Sequence, residues 1–181
     1  MSFRKLFTVG LAAALVPAPP VLAQDFGRPA SPAEIQLWNI DVRPDGVGLP
    51  PGSGTVAHGQ SVYQDNCSAC HGDQGQGGIG DRLVGGRGSL ATDHPVKTIG
   101  SFWPYATTLF DYVRRAMPYT APETLSDDDY YSVVAYLLKL NEILPANATV
   151  NKATLPTIKM PNRDGFIPVK EFTDFHNSRE H

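Results

Sequence analysis

Cys67, Cys70 and His71 stand together in the run NCSACHG, residues 66 to 72, and the two cysteines are the only ones in the chain. Two thiols and an imidazole this close admit four chemistries. A disulfide suits an exported chain. A thioredoxin-type redox pair also uses C-x-x-C, but it wants a βαβ setting, and the residues around Cys67 do not read as strands. Zinc needs about four ligands, and neither a second cysteine pair nor a well-spaced histidine pair is present. The fourth is C-x-x-C-H, the attachment signature of c-type haem. Both thiols add to the vinyl groups, and His71 lies against the porphyrin face as the proximal iron ligand. The residues favour this last chemistry, with one covalently attached haem c.

A six-coordinate iron needs a second axial partner or an open site. A methionine opposite the histidine raises the potential and suits an electron carrier. Of the three methionines, Met1 falls in the leader described below, which leaves Met117 in RRAMPYTAP and Met160 in TIKMPNRDG. Met117 is the better candidate. It closes a helix over YATTLFDYVRRA, with Leu109, Tyr112, Val113 and Ala116 on one stripe, and Pro118 then stops the helix. Met160 lies in a proline-spaced tail. His58, His94 or an open site are the remaining choices. Without a haem, Met117 reads as a core residue filling a gap.

Three elements must position these groups. TVAHGQSVYQDN leads into the motif at helical spacing, with Val56, Gly59, Val62 and Tyr63 on one face. The glycine-rich HGDQGQGGIGDRLVGG that follows is able to wrap round the edge of a flat cofactor. The last strong helix is LSDDDYYSVVAYLLKLN. Ser126 caps it with Asp129 as capping-box partner, Asp127 to Asp129 sit where the helix dipole favours anions, and Tyr130, Val133, Val134, Leu137 and Leu138 form its buried face. A triple-Asp metal site is the rival reading of those acids. Trp103, Tyr105 and Arg87 are candidates to reach a haem propionate, or else two core aromatics and a surface arginine.

The chain opens MSFRKLFTVGLAAALVPAPPVLAQ. Arg4 and Lys5 followed by an apolar run from Leu6 to Val16 read as a secretory leader, cut after Ala23. Its removal lowers Lys plus Arg from 15 to 13 against 18 Asp plus Glu, so the mature chain carries about −5. An acidic exported protein is a poor partner for nucleic acid, and the mature sequence has no apolar stretch long enough to span a membrane. The expected compartment is the periplasm.

The order of these features resembles a class I cytochrome c: a helix with Gly59 and Tyr63, then CSACH, then AMP, then the Leu125 to Asn141 helix. The resemblance implies an all-α class I cytochrome c fold round one covalent haem, with Gly59 meeting Tyr136 or its neighbours where the first and last helices cross. The family often carries Pro-x-Leu after the haem motif, the proline carbonyl accepting from the proximal histidine. Here that place reads Asp81-Arg82-Leu83, and the acceptor would be the Asp81 carbonyl. Further stretches, at residues 27 to 60, 97 to 141 and 159 to 166, look like the cytochrome subunit of sulfane (sulfur) dehydrogenase, the SoxD-type family. The resemblance implies a molybdenum-cofactor dehydrogenase subunit as electron donor and a downstream electron acceptor. Known members carry a second haem domain, whereas one C-x-x-C-H here implies a monohaem version.

The organisation expected is a leader at 1–23, an N-terminal arm at 24–54, a cytochrome c domain at 55–142 and a C-terminal arm at 143–181. Both arms are proline-spaced and are expected to be extended, lying on their own domain or on a partner. The functional expectation is an electron-transfer subunit of an oxidoreductase complex rather than a catalyst on its own. The alternatives are a free-standing shuttle to a terminal oxidase, and a haem peroxidase or ligand-binding protein with an open sixth position.

Overall fold

A computed structural model describes residues 27–167. Residues 1–26, which include the expected leader, and the last fourteen residues, HNSREH included, lie outside the described residues. The chain divides into two units, with the boundary in the sequence between Trp38 and Asn39. The first contains α1 (Pro32–Trp38), a helix not anticipated in the N-terminal arm. Pro32 opens it without wasting an N–H. Ser31 and Glu34 cap it reciprocally, and Arg28 clasps the same glutamate, whose carboxyl is thereby held well below the usual range.

The second unit holds β1 (Ser53–Thr55), α2 (Val56–Asn66), α3 (Ser68–His71), α4 (Ala106–Ala116), α5 (Asp127–Leu140) and β2 (Thr149–Asn151). The expected all-α architecture is observed, with one addition: β1 and β2 pair antiparallel, Gly54 opposite Val150. Three-residue strands from opposite ends of the domain carry no periodicity of their own, so this pairing had no signal in the sequence.

α5 is the central element. Ser126 accepts from the Asp129 N–H, and Asp129 reaches back to the Ser126 N–H, so the expected capping box is present. The helix crosses α2 where Gly59 faces the Ser132 carbonyl and Tyr136, and Tyr63 lies 5.4 Å from the Tyr136 ring. α4 brings Phe110 against Tyr131, 4.6 Å between ring centres. β1 covers a further side, since a β-carbon on Gly54 would strike the Ser132 N–H. α5 is therefore buried on every side. Tyr131, Ser132, Ala135 and Tyr136 join the five residues of the expected stripe in the core.

The described parts of both flanks after Asn39 pack on this unit. Val42, Leu49, Val150, Leu155 and Met160 belong to the same core as Phe110 and Leu138. Val42 donates its N–H to the Asp111 carboxylate at 2.8 Å, fastening the N-terminal flank to α4. Tyr131 donates to the Pro50 carbonyl at 2.9 Å. No helix among the described residues is long and apolar enough to cross a membrane.

Candidate haem site

α2 runs straight into the cysteine motif. Cys67 is at once the last residue of α2's hydrogen-bonding pattern, donating to Tyr63, and the N-cap of the single turn α3. That turn sets Cys67, Cys70 and His71 on a short, stiff segment. Cys67 and Cys70 are not joined in a disulfide. Burial, with the neighbouring Cys70 adding to it, pushes the Cys67 thiol up to about 11. A thiol–disulfide enzyme wants the opposite shift, because the thiolate is the nucleophile. Cys67 is therefore poorly suited to be the attacking thiol of such an enzyme.

After His71 the chain turns at Gly72 (φ 80°) and doubles back over α3. The backbone N–H groups of Gly77 and Gly80 donate to the carbonyls of His71 and Cys70, each at 2.8 Å. Tyr63 donates to the Gly72 carbonyl at 2.7 Å. A β-carbon on Gly80 would lie 2.9 Å from His71 Cε1, so only glycine lets the returning loop rest against the imidazole edge. The loop ends with the Asp81 carbonyl 2.7 Å from His71 Nδ1. A carbonyl only accepts, so Nδ1 carries a proton, and in the neutral ring Nε2 is then the nitrogen with the lone pair. Asp81 thus supplies the backbone acceptor even though it is not a proline. Farther on, Asn141 at the end of α5 donates to the Leu83 carbonyl at 3.1 Å and pins the loop to the core.

His71, Cys67 and Cys70 line one part of a cleft of about 240 Å³, and Met117 lines it too. Its apolar walls include Leu83 and Ile99 from the loops, Leu109 and Val113 from α4, and Val133 and Leu137 from α5. Met117 is the C-cap of α4, its N–H bonded to Val113 at 3.0 Å, and it stands half-buried at the head of the loop to α5. Of the side chains weighed for the sixth position, Met117 alone lines the cleft. Met160 is in the core at 1% exposure. His58 sits on the surface, its ring 2.6 Å from the Asp129 carboxylate, and His94 is exposed in its loop.

The propionate candidates separate. Trp103 lines the cleft, stacked obliquely on Tyr112. Tyr105 is instead covered by the Arg163 guanidinium, 4.2 Å above its ring. Arg87 donates to the Asn141 carbonyl at 2.8 Å, away from the cleft. Sequence reasoning missed Arg82 and Lys97, both cleft-lining cations, because nothing in their spacing separates them from ordinary surface charges.

Residues 54–137 match the family described as cytochrome c oxidase, cbb3-type, subunit III. The chain is 30% identical over 99 residues to a thiosulfate dehydrogenase of Stutzerimonas stutzeri (strain A1501), a match covering 50% of this chain and 29% of that protein. The chain thus spans less than a third of that relative's length. It superimposes with a TM-score of 0.74 and 45% identity on a chain of the crystal structure of the sulfane dehydrogenase SoxCD from Paracoccus pantotrophus, covering 80% of this chain and 72% of that one. Fold, site and likeness agree on one class, the c-type cytochromes, which are electron-transfer proteins. Within it the chain belongs to the family of the cytochrome subunit of sulfane dehydrogenase. That class carries haem c, and the cleft suits such a group. Two thiols, an imidazole with a free Nε2 and a thioether sulfur meet round apolar walls, and Gly80 leaves the imidazole edge uncrowded.

Proposed function

We propose that this chain carries one covalently attached haem c and passes single electrons in the periplasm. It does so as the haem subunit, or immediate acceptor, of a molybdenum-dependent dehydrogenase of sulfane sulfur or sulfite. When bound, the haem supplies a one-electron Fe(III)/Fe(II) couple. The chain's own residues do the rest. Cys67 and Cys70 tether the group through thioether bonds. His71 offers Nε2 to the iron in an orientation held by the Asp81 carbonyl, a hydrogen bond that also raises the basicity of the ring. Met117, which lines the same cleft, would hold the iron through its sulfur. Leu109, Val113, Val133 and Leu137 exclude water and so tune the potential.

The observation that carries this reading is the meeting of His71 and Met117 in one apolar cleft, on a chain 45% identical to one in a sulfane dehydrogenase. The test is the molybdenum-to-iron ratio of tagged protein purified gently from its native periplasm. A ratio near unity is expected for a stable dehydrogenase complex. Iron without molybdenum would overturn the subunit assignment.

A second reading has its own support. The flanks after Asn39 pack into the core through Val42, Leu49 and Leu155, which leaves them less available to a partner and suits a free-standing shuttle. Iron without molybdenum favours it.

A further inference from the structure

The loop that delivers Met117 runs from the end of α4 to Leu125, just before the α5 cap. One oxygen joins its two ends. The Tyr130 hydroxyl donates to the Met117 carbonyl at 3.3 Å and accepts from the Leu125 N–H at 3.4 Å. A phenol has one proton to give and lone pairs to receive, so both bonds form together without conflict. Because Met117 also donates its own N–H to Val113, both backbone polar groups of the methionine are fixed, one by α4 and the other by Tyr130.

The hydroxyl is itself held firmly. Tyr130 is 1% exposed, lies in the first turn of α5 beside the Ser126–Asp129 capping box, and meets the Phe110 ring edge-on at 6.4 Å. It cannot shift without moving α5. We infer that Tyr130 is a positioning residue for the sixth ligand, fixing the Met117 backbone so that its sulfur stays directed at the cleft. This inference rests on Met117 being the sixth ligand.

Tyr131 provides the control. Its side chain is equally buried, and its hydroxyl bonds a backbone carbonyl, but that carbonyl is Pro50 on the N-terminal flank. Y130F and Y131F therefore each lose one buried hydroxyl, and only the first loses it at the methionine loop.

The experiment is titration of the oxidised holoprotein with imidazole, which competes for the sixth position. It is followed by the Met-to-iron charge-transfer band and paired with the reduction potential. Y130F should bind imidazole about three- to tenfold more tightly than the wild type, the range expected for one lost hydrogen bond on the closed form, while Y131F binds it as the wild type does. Site-specific 3,5-difluorotyrosine at position 130 keeps the ring and strengthens the donor, so it should weaken imidazole binding, and it tests the same bond should Y130F fail to fold. Equal imidazole affinities for Y130F and Y131F, or for wild type and the difluorotyrosine protein, overturn the inference. M117A tells this failure from the other: if it keeps the band and the wild-type imidazole affinity, Met117 is not the ligand and the underlying reading fails instead.

Discussion

The Ser132 carbonyl faces Gly59 so closely that a β-carbon there would lie 1.8 Å from the oxygen and 2.9 Å from Tyr136 Cβ. α2 and α5 touch backbone to backbone. The obstructing atom belongs to a helix buried on every side, so it cannot swing away. G59A is expected to destabilise the holoprotein by about 3 kcal/mol, the upper range for overpacking a core. Urea unfolding of wild type and variant checks it. Equal midpoints would mean that the helices do not cross at these residues.

Met117 and Met160 should respond in opposite ways. M117A removes the side chain that lines the cleft. The expected outcome is loss of the Met-to-iron band and a lower reduction potential with little change in fold. M160A empties a site 1% exposed in the core, at a cost of about 2–5 kcal/mol, and leaves the band in place. Absorption spectra and thermal melts of the two variants separate the roles.

The acceptor for His71 is the main chain of Asp81, not its carboxylate. D81A keeps that carbonyl. Its reduction potential should stay within about 10 mV of wild type, well under the 59 mV that a tenfold change in a one-electron equilibrium represents. Protein-film voltammetry measures this directly. A larger displacement would assign a role to the exposed carboxylate.

Asp129 is held below the ordinary aspartate pKa, first by the Ser126 hydroxyl and then by His58, with partial burial opposing. A carboxyl lowered in this way contributes stability that is fully present above its unfolded value, about 3.9, and is lost as pH falls through the lower folded value. S126A should cost about 1 kcal/mol at neutral pH. It should also flatten the decline in stability as pH falls below the unfolded aspartate value of about 3.9. Denaturation at a series of pH values checks this, and a decline parallel to wild type's would mean that Ser126 is not what lowers the carboxyl.

How much of this was legible depended on whether the information was local. Cys67, Cys70 and His71 sit in one short motif, and Met117 is marked by the helix before it and the proline after it. Those four residues lie round one cleft. The α5 cap was readable because a capping box is a relation between neighbours. The β1–β2 pairing was not, because Gly54 and Val150 meet only once the fold has brought them together. Tyr130 could be read as buried from its stripe. That its hydroxyl reaches Met117 depends on a loop path that no periodicity encodes. Tyr105 and Arg87 are plausible propionate partners by type, yet each is engaged elsewhere by a residue distant in sequence, Arg163 and Asn141.

The cleft's two walls also differ in when they can exist. The thiols, the imidazole and the carbonyl that orients it belong to one short stretch between Tyr63 and Leu83, so that wall is organised by near-neighbour contacts. The methionine wall depends on α5 crossing α2, which brings together segments on either side of a long intervening chain, and such closures come late and slowly in folding. The expected order of assembly is thus thiols first and methionine second, since the short closure costs less chain entropy than the long one.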